Sequence, residues 1–506
     1  MFSILASKMK QSARAGDFRS IAAWFVWYDY FSVPQPAAPE AESCFHTDLE
    51  TDLGKAIASL ASYVARCRWF FVLAPRVSHE EGHLMDYYSW KSRGWCRFER
   101  LARVLTLAAD TSVLLIRDDT TLWQSVAHEW LTELVGCGVF TVESDRKRLA
   151  DKLADMLERK LQHLWASGSV GEYRRWLAAF SKLFEGLPID WRSVRPAEHK
   201  DGCRKSEVDS FLAMYRFASA MAAPHGTSAL HVAAALGNAQ VVESLVAQGA
   251  PVNCTERRDC LAFGVGAGMR PLHSAAFYGH VAAVSALVRG RADVNARTQI
   301  GDPPLSFAIS CHDLEVQREL IRSRADISAR SILGNTCSDN VVLHHKIDLV
   351  RFFLTAGVPT VCSTHGLNAL HTAAMFDAPR QIVATLVEAD VSLSDRFQPK
   401  PGSIWWLIAT HFALAHRLGR RGRLNFFFHH ALGGTPLHFA AASGSASGVR
   451  ALVELRADPA LRNRRGASVE ELIASAGSGT AGRALVELRA GPAVQTLDGV
   501  SVTDFA

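Results

Sequence analysis

The sequence of 506 residues lacks the short motifs that mark several common enzyme classes. It has no P-loop, no GxSxG nucleophile motif, no HExxH zinc motif and no EF-hand loop, each of which places reactive or ligating groups at a fixed spacing. We therefore expect neither a bound cofactor nor a metal ion. Function is expected to depend on a surface rather than on one of these sites.

Disulfide patterns, strong charge and long apolar runs are also lacking. Ten cysteines are scattered without a CxxC pair, which favours reduced thiols over a disulfide framework or a zinc module. The net charge of +5 is small for this length and does not indicate nucleic-acid binding. The longest apolar run, Ile404–Ala415, is too short to span a bilayer, and the first eight residues lack the apolar core of a secretion signal. We expect a protein of the cytoplasm, or alternatively of the nucleus, without a transmembrane segment.

What the sequence does contain is a regular spacing of glycines in its second half. Most neighbours in this series are 32 or 33 residues apart, and one interval of 67 residues is close to two periods. A period near 33 is typical of stacked helical repeats, in which each unit is too small to bury its own apolar face. The series consists of Gly226, Gly268, Gly301, Gly334, Gly366, Gly433, Gly466 and Gly499.

A common pattern follows the glycine of each period. Ala or Pro, then Leu, then usually His begins a helix that continues with two alanines, as in Pro271–Ala276 and Pro436–Ala441. A polar break and a second apolar helix come next, and the unit ends on a segment such as Arg291–Asn295. This pattern resembles the ankyrin repeat over about residues 224–506. The resemblance implies an α-helical solenoid of about seven units in residues 223–506 that binds a protein partner through its concave face and hairpin tips.

Four histidines recur at one position of the pattern: His231, His273, His371 and His438. As a set they could be taken for metal ligands or catalytic groups. The resemblance implies instead that each is a structural hydrogen-bonding residue between units, and we interpret them in that way.

Large side chains occupy positions that partners of ankyrin repeats commonly contact. Phe277, Tyr278, Met375 and Phe376 lie at the ends of inner helices, and protein interfaces are enriched in aromatic residues and methionine. A phenylalanine beside an irregular unit could instead fill a gap in the stack. The predicted contacts at the hairpin tips are Arg270, Gln299, Asp302, His365 and Arg465.

Residues 1–145 show a different pattern. Three short β-prone runs, at 23–28, 69–73 and 111–116, alternate with two amphipathic helical stretches. Strands that alternate with helices indicate parallel crossovers, so we predict an α/β domain with a parallel sheet covered on both faces.

Two segments of this domain carry a family resemblance. Trp27–Gln35 is a strand that ends in Asp before a Ser/Pro/Gln loop, and Ser92–Leu101 contains Ser, Trp-Cys and Glu in that order. The second segment looks like a box of Toll/interleukin-receptor (TIR) domains. The first is also similar to fungal heterokaryon-incompatibility domains, which share the flavodoxin-like build. The resemblance covers about residues 15–145.

The TIR resemblance has a consequence for one carboxylate. In NAD-cleaving TIR domains the glutamate of this box is catalytic, and it corresponds to Glu99 here, where it would stabilise the oxocarbenium-like ribosyl centre as nicotinamide leaves. We expect the first strand of such a domain to be missing, since only about twenty residues precede the run at 23–28. The other interpretation of Glu99 is an acid in the first turn of a helix, where negative charge suits the helix dipole.

Residues 146–222 are predicted to form a polar helical bridge. The leucines of its first helix are spaced for one helical face, and Pro188 and Pro196 interrupt the loop between its second and third helices. Terminal units of a repeat stack need a polar outer face. We expect this bridge to cap the N-terminal end of the array.

An irregular insert, 397–432, interrupts the array. Trp405-Trp406 and the run Phe426–His430 fit no repeat pattern. The sequence leaves open a degenerate repeat, a non-native insert such as a translated intron, or an excursion that binds a membrane surface or a partner. His429 and His430 would need further ligands to hold a metal ion, and the sequence identifies none.

The sequence therefore favours a protein-interaction scaffold or adaptor with an N-terminal assembly or signalling module. The alternative is a TIR-type NAD hydrolase that uses Glu99, takes NAD as its substrate and uses the repeats to select its target. A degenerate gene product without a stable partner is the third interpretation.

Overall fold

A computed structural model describes much of the chain between residues 59 and 476. The described residues fall into two compact units: one contains those up to Leu236 together with Ser244–Ala267, and the other contains Gly237–Glu243 and those from Gly268 onward. No helix in the described part is both long enough and apolar enough to cross a membrane. The described residues are 59–60, 62–64, 66–67, 70–74, 77–78, 84–85, 87–107, 113–116, 122–124, 129–131, 133–190, 206–221, 227–257, 260, 263, 266–309, 314–331, 334, 336–343, 345–358, 366–376, 378–420 and 423–476.

The first unit contains two small sheets. Their strands are β1 (Phe70–Leu73), β2 (Val77–Ser78), β3 (Leu84–Met85), β4 (Val113–Ile116) and β5 (Leu122–Gln124). β1 and β4 lie parallel, and β5 runs antiparallel along β4. β2 and β3 form a separate antiparallel pair. Val72, Val113 and Leu115 from the first sheet pack into one buried apolar cluster.

The strands predicted at 69–73 and 111–116 are confirmed as a parallel pair. The strand predicted at 23–28 and the segment Trp27–Gln35 lie outside the described residues. β5 is antiparallel, so the prediction of a wholly parallel sheet is wrong for this strand. Only five residues separate β4 from β5, which is enough for a hairpin but not for a parallel crossover. The three described strands do not establish the flavodoxin-like domain that the resemblance implies.

Two helices follow β3: α1 (Tyr87–Ser92) and α2 (Gly94–Leu105). α2 is strongly amphipathic and buries Phe98, Leu101 and Leu105. Two short 3-10 segments, at Glu129–Leu131 and Val135–Cys137, precede the helical bridge and contact α2.

The helical bridge consists of α3 (Asp145–Ala166), α4 (Val170–Ala178), α5 (Phe180–Leu183) and α6 (Glu207–Met214). α4 contacts α7 (Ala229–Leu236), the first helix of the repeats. Trp176 of α4 stacks on Trp130 with ring centroids 5.3 Å apart, and Phe263 meets both rings edge-on. The bridge therefore packs against the first repeat unit, as expected of a cap.

Each repeat is a pair of helices, except that only the first helix of the last unit is described. The remaining helices are α8 (Ala239–Ala247), α9 (Pro271–Tyr278), α10 (Val281–Arg289), α11 (Pro304–Ala308), α12 (Leu314–Arg322), α13 (Cys337–Leu343), α14 (Ile347–Thr355), α15 (Ala369–Met375), α16 (Arg380–Glu388), α17 (Ile404–Arg417), α18 (Arg423–Ala431), α19 (Pro436–Ser443), α20 (Ala446–Glu454) and α21 (Val469–Ala476).

The repeat sequence determines where the inner helices begin and end. Pro271 and Pro436 lie in the first turn, where a missing N–H costs no hydrogen bond. Gly279 and Gly444 follow the last turn with φ of 84° and 74°, a conformation that a residue without Cβ adopts readily. Because proline and glycine recur at the same positions of these repeats, the inner helices begin and end at equivalent positions in each repeat.

In the second unit, helices of the same kind stack on one another. The inner helices contact in the order α9, α11, α13, α15, α19 and α21, and the outer helices α14, α16 and α20 also contact in sequence. Leu272, Leu305, Leu370 and Leu437 occupy the same position in four inner helices, and each is 0–1 % exposed. The helical repeat stack predicted from the sequence is confirmed for this unit.

The unit that contains α13 has an aspartate in place of the recurring histidine. Asp339 lies three positions after Thr336, and its carboxylate accepts hydrogen bonds of 2.9 Å from both the amide and the hydroxyl of Thr336. Its other oxygen accepts a bond of 3.2 Å from Thr372 in the next unit. The carboxylate therefore closes the helix start and links two units, which explains how this unit stacks without the histidine.

The insert forms a helical hairpin, because α17 and α18 contact each other extensively. α15 and α16 on one side of the insert contact α19 and α20 on the other side directly. Arg380 and Glu454 form an ion pair of 2.7 Å between the two outer helices. The insert is thus not a unit stacked between its neighbours. The chain leaves the stack after α16, forms the hairpin and rejoins the stack at α19.

Candidate protein-binding surface

The recurring histidines are buried structural groups. His231, His273, His371 and His438 are 0–2 % exposed. The Nδ1 atom of His438 lies 2.9 Å from the hydroxyl of Thr435, and its Nε2 donates to the carbonyl of Ala467 in the next unit at 3.2 Å. Burial lowers the pKa of His438, although the bond to Ala467 opposes this shift. The interpretation of this histidine as a hydrogen-bonding residue between units is confirmed.

The predicted anchors on the inner helices differ in exposure. Tyr278, Met375 and Phe376 are partly exposed. Phe277 is only 7 % exposed, because its ring packs edge-on against Phe307 of the next unit at 6.4 Å. Phe277 therefore fills the stack, which was the alternative interpretation, and it does not present a free surface.

The predicted hairpin-tip residues also fall into different environments. Gln299 and Arg465 are exposed, and Arg270 is held by an ion pair of 3.0 Å with Asp293. Asp302 is half-buried, and this burial raises its pKa while Arg297 opposes the shift. His365 lies outside the described residues. Gln299 and Arg465 are thus the freest of the described candidates at the tips.

Three hairpin tips share one hydrogen bond, from an arginine side chain to the carbonyl of a glycine farther along the chain. In two tips the glycine follows the arginine by four positions, and in the third by 37. The insert therefore adds 33 residues inside a single hairpin tip. The pairs are Arg297 with Gly301, Arg462 with Gly466, and Arg396 with Gly433.

The inserted hairpin presents an apolar helix face that the sequence analysis did not select. Three apolar residues of α17 and the residue after it are exposed at spacings of three, seven and four positions, which places them on one face. The insert contains five Lys and Arg residues and no Asp or Glu. Its charge equals the net +5 of the whole chain. The exposed apolar residues are Ile404, Leu407, Leu414 and Leu418.

The same hairpin brings three histidines together. His416 of α17 and His429 and His430 of α18 each offer a ring nitrogen within 4.8 Å of the other two. Burial, followed by the charge of His429, lowers the pKa of His430 to about 4. Burial, followed by Arg465, also lowers the pKa of His429. The ring of His430 is therefore neutral near pH 7.

The sequence analysis identified two members of this cluster and missed His416. Thirteen positions separate His416 from His429, so no spacing rule for a single helix connects them.

Glu99 lies in the second turn of α2, because that helix begins at Gly94. The interpretation of Glu99 as an acid in the first helical turn is therefore wrong. Its side chain is 7 % exposed, and the neighbouring Cys96 is 5 % exposed. Trp95 is partly buried and donates its indole N–H to Asp145 at 2.9 Å. The box thus lies in a packed environment at the junction of α2 and the helical bridge.

Comparison with known proteins identifies the repeats. Residues 230–331 match a family model of ankyrin repeats in three copies, and residues 432–464 match a model of the single ankyrin repeat. The ankyrin repeats predicted from the sequence are thereby confirmed in these two segments. A search of curated proteins finds no match.

Two solved structures are similar to this chain. The human ASB11 ankyrin repeat domain is 23% identical, with a TM-score of 0.37, over 53% of this chain and 99% of the other. The ankyrin repeat domain of Bcl-3, described as a unique member of the IkappaB protein family, is 20% identical, with a TM-score of 0.37, over 49% of this chain and 94% of the other.

Proposed function

We propose that this chain is a cytoplasmic protein-interaction scaffold whose ankyrin repeats bind a protein partner. The observation that carries the proposal is the pair of ankyrin segments at 230–331 and 432–464. Repeats of this kind build a continuous surface from successive units, and no single unit encloses a substrate.

The partly exposed residues Tyr278, Met375 and Phe376 define the surface we assign to the partner. Tyr278 and Phe376 each lie seven positions after the start of their inner helix, so they occupy equivalent places in two units. Large amphipathic and apolar side chains of this kind supply most of the binding energy in protein interfaces. Gln299 and Arg465, exposed at the hairpin tips, would form part of the polar rim.

The test compares partner capture by three versions of the full chain. Proximity labelling in cells with wild type and with the Met375→Ala/Phe376→Ala variant identifies proteins that depend on this surface. Met221→Ala is the matched control, because Met221 is an exposed methionine in the other unit. We expect at least one protein to be lost from the double variant and kept by the control. Identical labelling by all three versions would contradict the proposed surface.

We further propose that the N-terminal region is an assembly or signalling module attached to this scaffold. Its support is the parallel pair β1 and β4 together with a helical bridge that contacts the first repeat. Concentration-dependent self-association of the full chain, measured by analytical ultracentrifugation, tests this role. A chain that stays monomeric at all accessible concentrations would argue against assembly.

The alternative proposal is an NAD hydrolase that uses Glu99. It is supported by the order of Ser92, Trp95, Cys96 and Glu99 in the TIR-like box. The low exposure of Glu99 stands against it, because a catalytic carboxylate must reach the ribose of a bound nucleotide. NAD consumption by the purified chain, run beside Glu99→Gln, decides between the two proposals. Turnover that disappears in the variant would establish the enzyme, and no turnover from folded protein would leave the scaffold.

A further inference from the structure

The inserted hairpin contains a group of histidines that the scaffold does not use. The ring centroids of His416 and His429 are 4.5 Å apart, and those of His429 and His430 are 4.9 Å apart. The Nδ1 atoms of all three rings are buried and have no hydrogen-bond partner. Three buried ring nitrogens without partners are unusual, because a buried polar atom is normally satisfied.

One of these rings is influenced by a backbone carbonyl of the facing helix. The backbone carbonyl of Ala413 on α17 opposes the lowering of the pKa of His429, while the Nδ1 atom of His429 has no hydrogen-bond partner. In protein metal sites, a ligating histidine usually donates its other ring N–H to a carbonyl or carboxylate, which fixes the tautomer and presents the second nitrogen. The carbonyl of Ala413 is the group that would hold His429 in this way.

We propose that His416, His429 and His430 bind a divalent transition-metal ion, with Zn²⁺ as the preferred ion, and that this ion joins α17 to α18. Three imidazole nitrogens match the donor set of sites that keep a fourth coordination position open. Zn–N bonds of about 2.0–2.1 Å require nitrogens closer together than the 4.8 Å limit of this cluster, so the rings rotate inward when the ion binds.

The surroundings of the cluster select the kind of ion. The insert contains no Asp or Glu, so it offers none of the carboxylate oxygens that Ca²⁺ and Mg²⁺ prefer. Arg417 and Arg465 lie close enough to lower the pKa of His429, and their charge opposes any ion held by electrostatic attraction alone. An ion that binds neutral imidazole through strong metal–nitrogen bonds is therefore favoured over a hard cation.

The test is metal binding by the full chain after chelator treatment and removal of any affinity tag. We expect one equivalent of Co²⁺ to bind with the visible absorption of a tetrahedral nitrogen site, and Zn²⁺ to displace it. His416→Ala and His429→Ala should each weaken this binding at least tenfold. His411→Ala is the matched control, because His411 lies exposed on the same helix outside the cluster, and it should bind as wild type does.

A second measurement keeps the proposal falsifiable if one alanine variant misfolds. The temperature of unfolding of the wild type should rise when Zn²⁺ is added, since the ion binds the folded hairpin. The conservative variant His430→Gln should retain the circular dichroism spectrum of wild type and lose this rise. No tetrahedral Co²⁺ spectrum, or one that survives simultaneous replacement of the three histidines, would overturn the proposal.

Discussion

The backbone amide of Phe397 donates a hydrogen bond of 2.9 Å to the carbonyl of Gly434, although 37 positions separate them in the chain. The carbonyl of Phe397 in turn accepts a bond of 2.8 Å from the amide of Gly433. This pair of bonds closes the base of the inserted hairpin. The two repeats therefore contact each other as they would if the insert were absent. The insert is an extension of one hairpin tip.

Deletion of residues 399–431 should leave a folded stack. The remaining tip, Arg396-Phe397-Gln398-Leu432-Gly433, has the same length as the natural tip Arg297–Gly301. The direct contacts of α15 with α19 and of α16 with α20 do not involve the deleted residues. We expect cooperative thermal unfolding with a loss of about 2 kcal/mol, because Phe427 no longer packs on Phe439.

A deletion of equal length inside the stack is the control for this experiment. Removal of residues 304–336 takes out a complete unit with its buried leucines, Leu305 and Leu320, and should lower stability more than removal of the insert does. An unfolded 399–431 deletion variant would show that the insert is part of the core after all. Circular dichroism and calorimetry distinguish these outcomes.

Replacement of His438 should weaken the junction between the last two described units. His438→Ala removes the bonds to Thr435 and to the carbonyl of Ala467, so that carbonyl keeps only the bond that it accepts from the amide of Asn463. We expect a loss of about 2–3 kcal/mol in urea unfolding. His411→Ala, at an exposed position, should stay within about 0.5 kcal/mol of wild type. Equal stability of the two variants would remove the proposed structural role of His438.

The repeat pattern and the start of each unit could be predicted from the sequence, because proline, histidine and glycine act on their own helix. The path of the insert could not be predicted. Its 33 extra residues equal one period, so the spacing alone fits a stacked unit as well as a hairpin that leaves the stack. Only the direct contact of α15 with α19 shows that the insert is a hairpin that leaves the stack and not a stacked unit.

The burial of Phe277 and the composition of the histidine cluster also could not be predicted from the sequence. The burial of Phe277 depends on Phe307 in the next unit, and no pattern within one unit reveals that contact. His416 joins His429 only because two helices meet at a particular register. Contacts between elements decide both cases, and such contacts follow from packing rather than from local sequence.

The bridge and the first repeat are held together by a buried ion pair, whose loss should be costly. Arg175 lies 2.7 Å from Glu256, and the side chain of Glu256 is 3 % exposed. Arg175→Ala should lower the free energy of unfolding by about 3–5 kcal/mol, because it leaves a buried carboxylate without its cation. Calorimetry of the full chain measures the change.

An exposed ion pair provides the control for Arg175→Ala. Arg289 and Glu243 also form an ion pair, but their side chains are 64 % and 53 % exposed. Arg289→Ala should therefore change stability by less than about 1 kcal/mol. If the two arginine variants unfold at the same temperature, the Arg175–Glu256 pair is not the link between bridge and repeat.

The second residue after each outer helix adopts a left-handed conformation, and its identity differs between units. Gly357 has φ of 77° and Arg456 has φ of 70° at equivalent positions. A Cβ added to Gly357 would meet nothing within 4 Å, so only the backbone conformation opposes a side chain there. Gly357→Ala should then lower stability by about 1 kcal/mol. Arg456→Gly should raise it by up to about 1 kcal/mol, since it relieves the same strain. Arg456→Ala keeps the strained backbone and should not raise the free energy of unfolding. If alanine and glycine raised it equally in urea unfolding, loss of the arginine side chain, and not the backbone conformation, would control stability at this position.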